Sequence, residues 1–290
     1  VIRDNLFMLE LDPRCTQIAT FSLALAAWRS GGYRPLPAPN IACSGLAVTG
    51  QLEDWLRLAR GDGRLRAALE RLHRLFTNAP TLGSLINPAD VPLNERMFSA
   101  DYEEVAPLLA RALARERDDP AAAVLGAAAE GVAKAAKLLA RQYTLVATNV
   151  PYLGLNRQSD TLKVFANLHH RDAVTDLATV FIDRCRMYAV PSGSLALVVP
   201  QYWLFLGSYT KLRKRFLRDQ TWNHAARLGT SAFDTIGGAI VNVALLVLTV
   251  EQPQGNNVVT GLDCSEAKTA TEKALQLRMS QMQTFSQISQ

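Results

Sequence analysis

With 290 residues, 49% of them apolar, the chain is long enough to bury a full core and fits one or two domains. Its net charge of +5 is compatible with a polyanionic partner without requiring one. Cys15, Cys43, Cys185 and Cys264 show no C-x-x-C spacing, so no zinc site and no disulfide framework is expected. No window reaches the roughly 18 consecutive apolar residues of a membrane helix, so no membrane partner is expected. Reduced thiols make the cytoplasm the expected compartment. The chain starts at Val1, already in strand-like sequence, and is expected to be part of something longer.

Asn5 to Asp12 reads as a buried strand ending in two acids, Glu10 and Asp12. Asp12-Pro13 then opens a helix, with Asp as N-cap and Pro in the first turn. Ile18, Phe21, Leu25 and Trp28 supply its apolar stripe, and Gly31-Gly32 ends it. Glu10 stands where the second strand of a Rossmann-like unit carries the acid that accepts ribose hydroxyls, although an acidic cap would leave the same trace. Asn40 to Leu46 is a short strand closing in the small residues Ser44 and Gly45.

Residues 47–142 are helical by pattern. Asp101-Tyr-Glu-Glu104 forms a capping box ahead of Val105, Leu108, Leu109, Ala112 and Leu113, and Val124 to Leu139 repeats the spacing. With Asp118-Asp119-Pro120 between them, these two helices predict an antiparallel pair within a helical insertion.

Thr144 to Gly154 is a β-branched run that stops at Asn149, Val150-Pro151 and Tyr152. Such an ending places an amide and an aromatic ring at the carboxyl edge of a sheet, where open α/β folds bind ligands. Asp176 to Cys185 predicts a helix, and Gly193 to Trp203 a strand running into Pro200-Gln201. Ser208 is read as the N-cap of a helix carrying Lys211, Arg213, Lys214, Arg215 and Arg218, either a solvated face or a phosphate-contacting one. Arg227 to Gly229 and Val241 to Leu248 predict two strands around a loop with Phe233, Gly237 and Gly238. Residues 251–290 read as a polar tail with a charged helix capped by Ser265 and running to about Met282.

Asn149-Val150-Pro151-Tyr152 resembles the Asn-Pro-Pro-Tyr signature of amino-group methyltransferases. Together with Glu10-Leu11-Asp12-Pro13, Thr81 to Ile86, Pro200 to Gly207 and Phe233 to Gly238, it is similar to the adenine-specific methylases of BREX-type phage defence (PglX-like) and of type IIG restriction–modification enzymes. The resemblance implies an α/β fold with a Rossmann-like class I methyltransferase sheet, order 3-2-1-4-5-7-6, interrupted by the helical insertion. It divides the chain at 1–46, 47–142, 143–250 and 251–290, the tail leading towards a recognition domain. It implies S-adenosyl-L-methionine (AdoMet) as cofactor, duplex DNA as substrate and other phage-defence subunits as possible partners. Glu10, Leu11 and Ser44 would line the cofactor, Ser44 standing near the place of an acid that this sequence lacks. Asp176 and Phe233 would line the target-base pocket, unless Asp176 is only the N-cap of its helix and Phe233 a core aromatic.

The implied chemistry suits the tetrad. An exocyclic adenine amine is a poor nucleophile, because its lone pair is delocalised into the ring. Two acceptors, the Asn149 amide oxygen and the Val150 carbonyl, would favour a pyramidal nitrogen aimed at the methyl sulfonium. Pro151 biases Val150 to the extended conformation, and Tyr152 would stack on a flipped base. No Gly-rich turn precedes Glu10, so the central first strand is expected to be missing and these residues alone to transfer no methyl group. A protein-glutamine or RNA methylase would use the same tetrad, and the missing acid at 44–45 leaves room for a non-catalytic DNA-binding or assembly module. No Walker A loop, Gly-x-Ser-x-Gly elbow or metal-spaced His cluster supports a hydrolase.

Overall fold

The computed structural model describes residues 1–59, 61–90, 107, 120–233, 241–279 and 281–287. The chain divides into two compact units, Val1–Arg141 and Gln142–Gln290.

In the first unit, β1 (Phe7–Glu10) runs parallel to β2 (Asn40–Cys43), with Phe7 opposite Asn40 and Glu10 opposite Cys43. Helix α1 (Pro13–Gly31) connects them. Asp12 caps it as expected, its Oδ1 accepting from the Arg14 N–H at 2.8 Å, and the Gly32 N–H closes the last turn on the Trp28 carbonyl at 2.9 Å. The apolar stripe exists but is uncovered: Ile18 and Phe21 are 65% and 64% exposed.

Helices α2 (Leu52–Arg57), α3 (Gly63–Phe76), α4 (Ala79–Leu82) and α5 (Pro120–Ala140) complete this unit. Leu65, Ala68, Leu69, Leu72 and Phe76 form the buried face of α3, at the i, i+3, i+4, i+7 spacing of an amphipathic helix. Burying each Leu or Phe contributes about 1.5–3 kcal/mol. The alanine-rich α5 lies against β2, β1 and α3, and its Ala129, Val132, Ala133, Ala136 and Leu139 are buried. The helices expected as an insertion therefore share a core with β1 and β2. The box at Asp101–Glu104, the stripe from Val105 to Leu113 and the Asp118-Asp119 junction lie outside the described residues.

The second unit holds a six-stranded sheet of order β3-β4-β6-β5-β7-β8. Strands β3 (Tyr143–Asn149) and β4 (Ala189–Pro200) are parallel, while β6 (Val243–Thr249) runs antiparallel to both β4 and β5 (Thr221–Gly229). Buried Val243, Ala244, Leu246 and Leu248 suit β6 to that central place. Helices α6 (Asp160–His169), α7 (Leu177–Tyr188) and α8 (Thr210–Asp219) join these strands.

The expected polar tail is instead part of the sheet. Strand β7 (Val258–Asp263) adds parallel to β5, α9 (Ala270–Met279) follows, and β8 (Gln283–Ser286) returns antiparallel to β7. Gly261 allows this, because a Cβ there would stand 2.8 Å from the Phe285 ring. Ser265 does not cap the helix: the Thr269 Oγ1 accepts from the Glu272 N–H at 3.2 Å, and the Glu272 carboxylate accepts from the Lys268 and Thr269 N–H groups.

Within the second unit β3-β4-β6-β5 follow the order expected of the fourth, fifth, seventh and sixth strands, and within the first β2 pairs with β1. Among the described residues no helix is long and apolar enough to cross a membrane.

Candidate active site at the rim of strand β3

Strand β3 delivers Asn149 to its carboxyl end, opposite Val198 of β4, with the side chain exposed. Val150 turns its side chain inward and is 2% exposed, and its N–H makes the last rung to the Val198 carbonyl at 3.3 Å. The Tyr152 hydroxyl comes back over the strand end and donates to Asn149 Oδ1 at 3.2 Å. Asn149, Val150 and Tyr152 thus stand together, with Pro151 exposed between the last two.

The loop beyond Tyr152 is stitched to the start of α7. Leu177 N–H donates to the Leu153 carbonyl at 2.9 Å and Leu155 N–H to the Thr175 carbonyl at 3.0 Å. Asp176 does two tasks, its Oδ1 accepting from the Ala178 N–H at 2.8 Å as N-cap and from the Leu153 N–H at 3.4 Å. An acid was expected here as either a cap or a pocket residue. It is a cap that also fixes the loop carrying the tetrad.

Three tyrosines gather around that carboxylate. Burial and then the Asp176 charge push Tyr152 and Tyr209 up to about 12, and Tyr202 is raised by burial first and then by Asp176. The Tyr202 and Tyr209 rings lie 5.9 Å apart. Pattern reading passed over both, because a tyrosine after a strand looks the same whether it packs or faces a site.

The cofactor residues divide. Glu10, half-buried at the end of β1, has no hydrogen bond to its carboxylate among the described residues. Leu11 is 52% exposed, and its Cδ1 rests over Gly83, whose φ of +49° and missing Cβ admit it. Ser44 departs from expectation: it is fully buried, and its hydroxyl bonds the Glu10 carbonyl at 3.1 Å and Ser84 Oγ at 3.0 Å. That oxygen fastens β2 to β1 and is not offered to a ligand. Phe233 packs with Val198 and Leu245 against the Leu228, Val243 and Cys264 cluster, as a core aromatic would. Gly237 and Gly238 lie outside the described residues, among which no metal-holding cluster occurs.

Most of the α8 cations serve the fold. Arg213 donates to the Trp203 and Leu206 carbonyls at 2.7 Å, Arg215 pairs with Asp183 at 2.9 Å and Asp172 at 3.3 Å, and Arg218 holds Asp219. Only Lys211 and Lys214 remain exposed and uncommitted among these five. Ser208 lies one residue too early to cap α8, whose N-cap is Tyr209.

An α/β sheet in which parallel β3 and β4 are followed by antiparallel β6, with Asn-Val-Pro-Tyr closing β3, is the arrangement that the resemblance to a methyltransferase implied. The chain belongs to the Eco57I restriction-modification methylase family, whose model matches residues 4–233. It is similar to the adenine-specific methyltransferase PglX of Lacticaseibacillus casei (strain Zhang), 27% identical over 263 residues, 88% of this chain and 21% of that protein. It is also similar to the adenine-specific methyltransferase BrxX of Escherichia coli O9:H4 (strain HS), 29% identical over 275 residues, 86% of this chain and 22% of that protein. The chain thus spans about a fifth of the length of these curated relatives. Among solved structures, a nuclease-deletion mutant of the Type ISP restriction-modification enzyme LlaGI, in complex with a DNA substrate mimic, matches 99% of this chain and 28% of its own, with TM-score 0.48 and 14% identity.

Proposed function

We propose that this chain forms part of a DNA methyltransferase that moves the AdoMet methyl group directly onto the N6 of a flipped adenine, in phage defence or restriction–modification. The observation that carries this reading is the placement of Asn149, exposed at the end of β3 beside the Val150 carbonyl and the Tyr152 ring. The two oxygens take the amine hydrogens and gain most as positive charge builds on nitrogen, while the ring stacks on the base.

When bound, AdoMet would supply the methyl group from its sulfonium, which would become a neutral thioether, while the methylated amine would give up one proton to solvent. Glu10 fits the cofactor's ribose, because it ends β1 with a carboxylate that no protein donor uses among the described residues, and Leu11 offers an exposed apolar contact. Asp176 serves the target-base side by fixing the tetrad loop. Phe233 would reach the base only from the edge of its core cluster. Lys211 and Lys214 are the α8 groups free to meet phosphate. Action in the cytoplasm, with other phage-defence subunits as partners, belongs to the same reading.

The test is methyl transfer from labelled AdoMet by the native full-length protein and its Asn149→Ala variant. Substrates are duplex DNA, RNA and a glutamine-bearing protein, since the tetrad serves any planar amine or amide. Labelling confined to DNA adenine and reduced about 100- to 1,000-fold in the variant is expected. Equal rates for both proteins end the proposal.

A further inference from the structure

In a parallel ladder, alternate residues of a strand turn both N–H and C=O towards the same neighbour. Val150 and Val198 make such a rung, the Val150 N–H donating to the Val198 carbonyl, with Asn149 opposite Val198 in register. The next rung would run from the N–H of residue 200 to the Val150 carbonyl. Residue 200 is a proline, and it has no N–H. Its successor faces the other way, the Gln201 N–H donating to the Asn242 carbonyl at 2.8 Å, while Pro200 stands opposite Val243. Among the described residues no donor meets the Val150 oxygen. Val150 is nonetheless 2% exposed, and buried carbonyls are almost always paired.

We infer that Pro200 is a positioning residue: it withholds the ladder donor, so that the Val150 carbonyl stays open for the target amine. This rests on the function proposed above, in which that carbonyl takes one of the two amine hydrogens. A proline that merely terminates β4 would act through its ring. One that keeps a carbonyl open acts through the missing N–H, and the two roles can be separated.

The experiment compares three native full-length proteins: wild type, Pro200→Ala, and a variant with lactic acid at position 200, introduced by stop-codon suppression. Alanine restores an N–H; lactic acid has neither ring nor N–H. In Pro200→Ala, kcat for methyl transfer to DNA is expected to fall about three- to tenfold, the factor one competing hydrogen bond supplies. KM values for AdoMet and DNA should stay unchanged, and the amide restored at position 200 should exchange slowly with solvent. The lactic acid variant should keep the wild-type kcat.

A wild-type kcat in Pro200→Ala, an unprotected amide at position 200, loss of folding in that variant, or an equal slowing with lactic acid each overturns the inference. Asn149→Ala, run alongside, reports on the function itself. If that variant is fully active while the restored amide in Pro200→Ala is protected, the catalytic reading falls and the ladder argument stands.

Discussion

Tyr152 donates its hydroxyl hydrogen to Asn149 Oδ1 at 3.2 Å, so the residue proposed to stack on a base holds the oxygen proposed to receive its amine. The exchange is cheap, because an exposed hydrogen bond nets only about 0.5–1.5 kcal/mol. Base and amine would displace the hydroxyl together, the ring moving from over the strand end to a stacked position. Tyr152→Phe keeps the ring and removes the competing donor, so its methyl-transfer rate should lie within about threefold of wild type. Tyr152→Ala removes the stacking surface and should lose about tenfold or more. Single-turnover rates on duplex DNA check both, and a Phe variant as slow as the Ala variant would show that the hydroxyl itself is needed.

The tyrosines around Asp176 give a pH dependence. Burial and then the Asp176 charge raise Tyr152 and Tyr209 to about 12, against about 10 in an unfolded chain. Between those values the folded protein keeps protons that the unfolded chain has lost, so unfolding becomes easier as pH rises. Their contribution is complete below about pH 10 and disappears as pH climbs towards 12. Urea titrations at successive alkaline pH values should show stability falling across that window, and a smaller fall in Tyr209→Phe.

Glu10 and Ser44, joined through the Glu10 carbonyl and the Ser44 hydroxyl, should separate in function. The Glu10 carboxylate, which no donor meets among the described residues, is the group proposed to hold the cofactor's ribose, so Glu10→Gln should weaken AdoMet binding about tenfold, the loss of a charge-assisted hydrogen bond. Ser44→Ala removes a buried bridge between β1, β2 and Ser84, and should lower stability by about 1 kcal/mol with cofactor affinity retained. Calorimetric titration with AdoMet and thermal unfolding separate the two; a Ser44→Ala variant that binds cofactor poorly would return the hydroxyl to the site.

Asp183 anchors a buried charge cluster. Burial pushes its carboxyl up, but hydrogen bonds from His170 and Arg215 outweigh that and hold it at about 2. A depressed acid stabilises the fold above its unfolded value near 3.8 and loses that contribution as pH falls towards 2. Asp183→Ala should cost about 3 kcal/mol, since it leaves His170 and Arg215 without their shared partner in the interior. The variant should also lose the acid-side fall in stability between about pH 4 and 2, which denaturant titrations at those pH values measure.

What could be read from residues alone follows from how local each signal is. Asp12-Pro13 and the apolar stop at Asn149 are local, and α1 and β3 stand where they were expected. Ser44 was read by its place in a motif order, yet its hydroxyl is claimed by the Glu10 carbonyl, a partner 34 residues away. Arg213 and Arg215 were read as part of a charge run, solvated or phosphate-contacting, but carbonyls of the preceding turn and acids before and within α7 claim them. The strands at 258–263 and 283–286 were hidden because their pairing needs Gly261 beneath the Phe285 ring, a contact with no local period.

Gln287 secures the end of that added sheet, and its amide is used at both ends. Its Oε1 accepts from the Trp222 N–H at 2.9 Å and from Asn257 Nδ2 at 2.6 Å, while its Nε2 donates to the Leu217 and Gln220 carbonyls at 2.8 and 2.6 Å. These four partners join the close of α8, the start of β5 and the turn before β7 to the residue that follows β8. Gln287→Ala leaves a buried peptide N–H and two carbonyls to find water, at a cost of about 1–3 kcal/mol. Gln287→Glu should be no rescue, because a carboxylate can accept from Trp222 but has nothing to donate to Leu217 or Gln220. In both variants β8 should become the first segment cut in limited proteolysis, with the β3–β4 region still protected. If Gln287→Glu matches wild type, the two donated bonds contribute nothing and the clamp acts through the bonds accepted from Trp222 and Asn257.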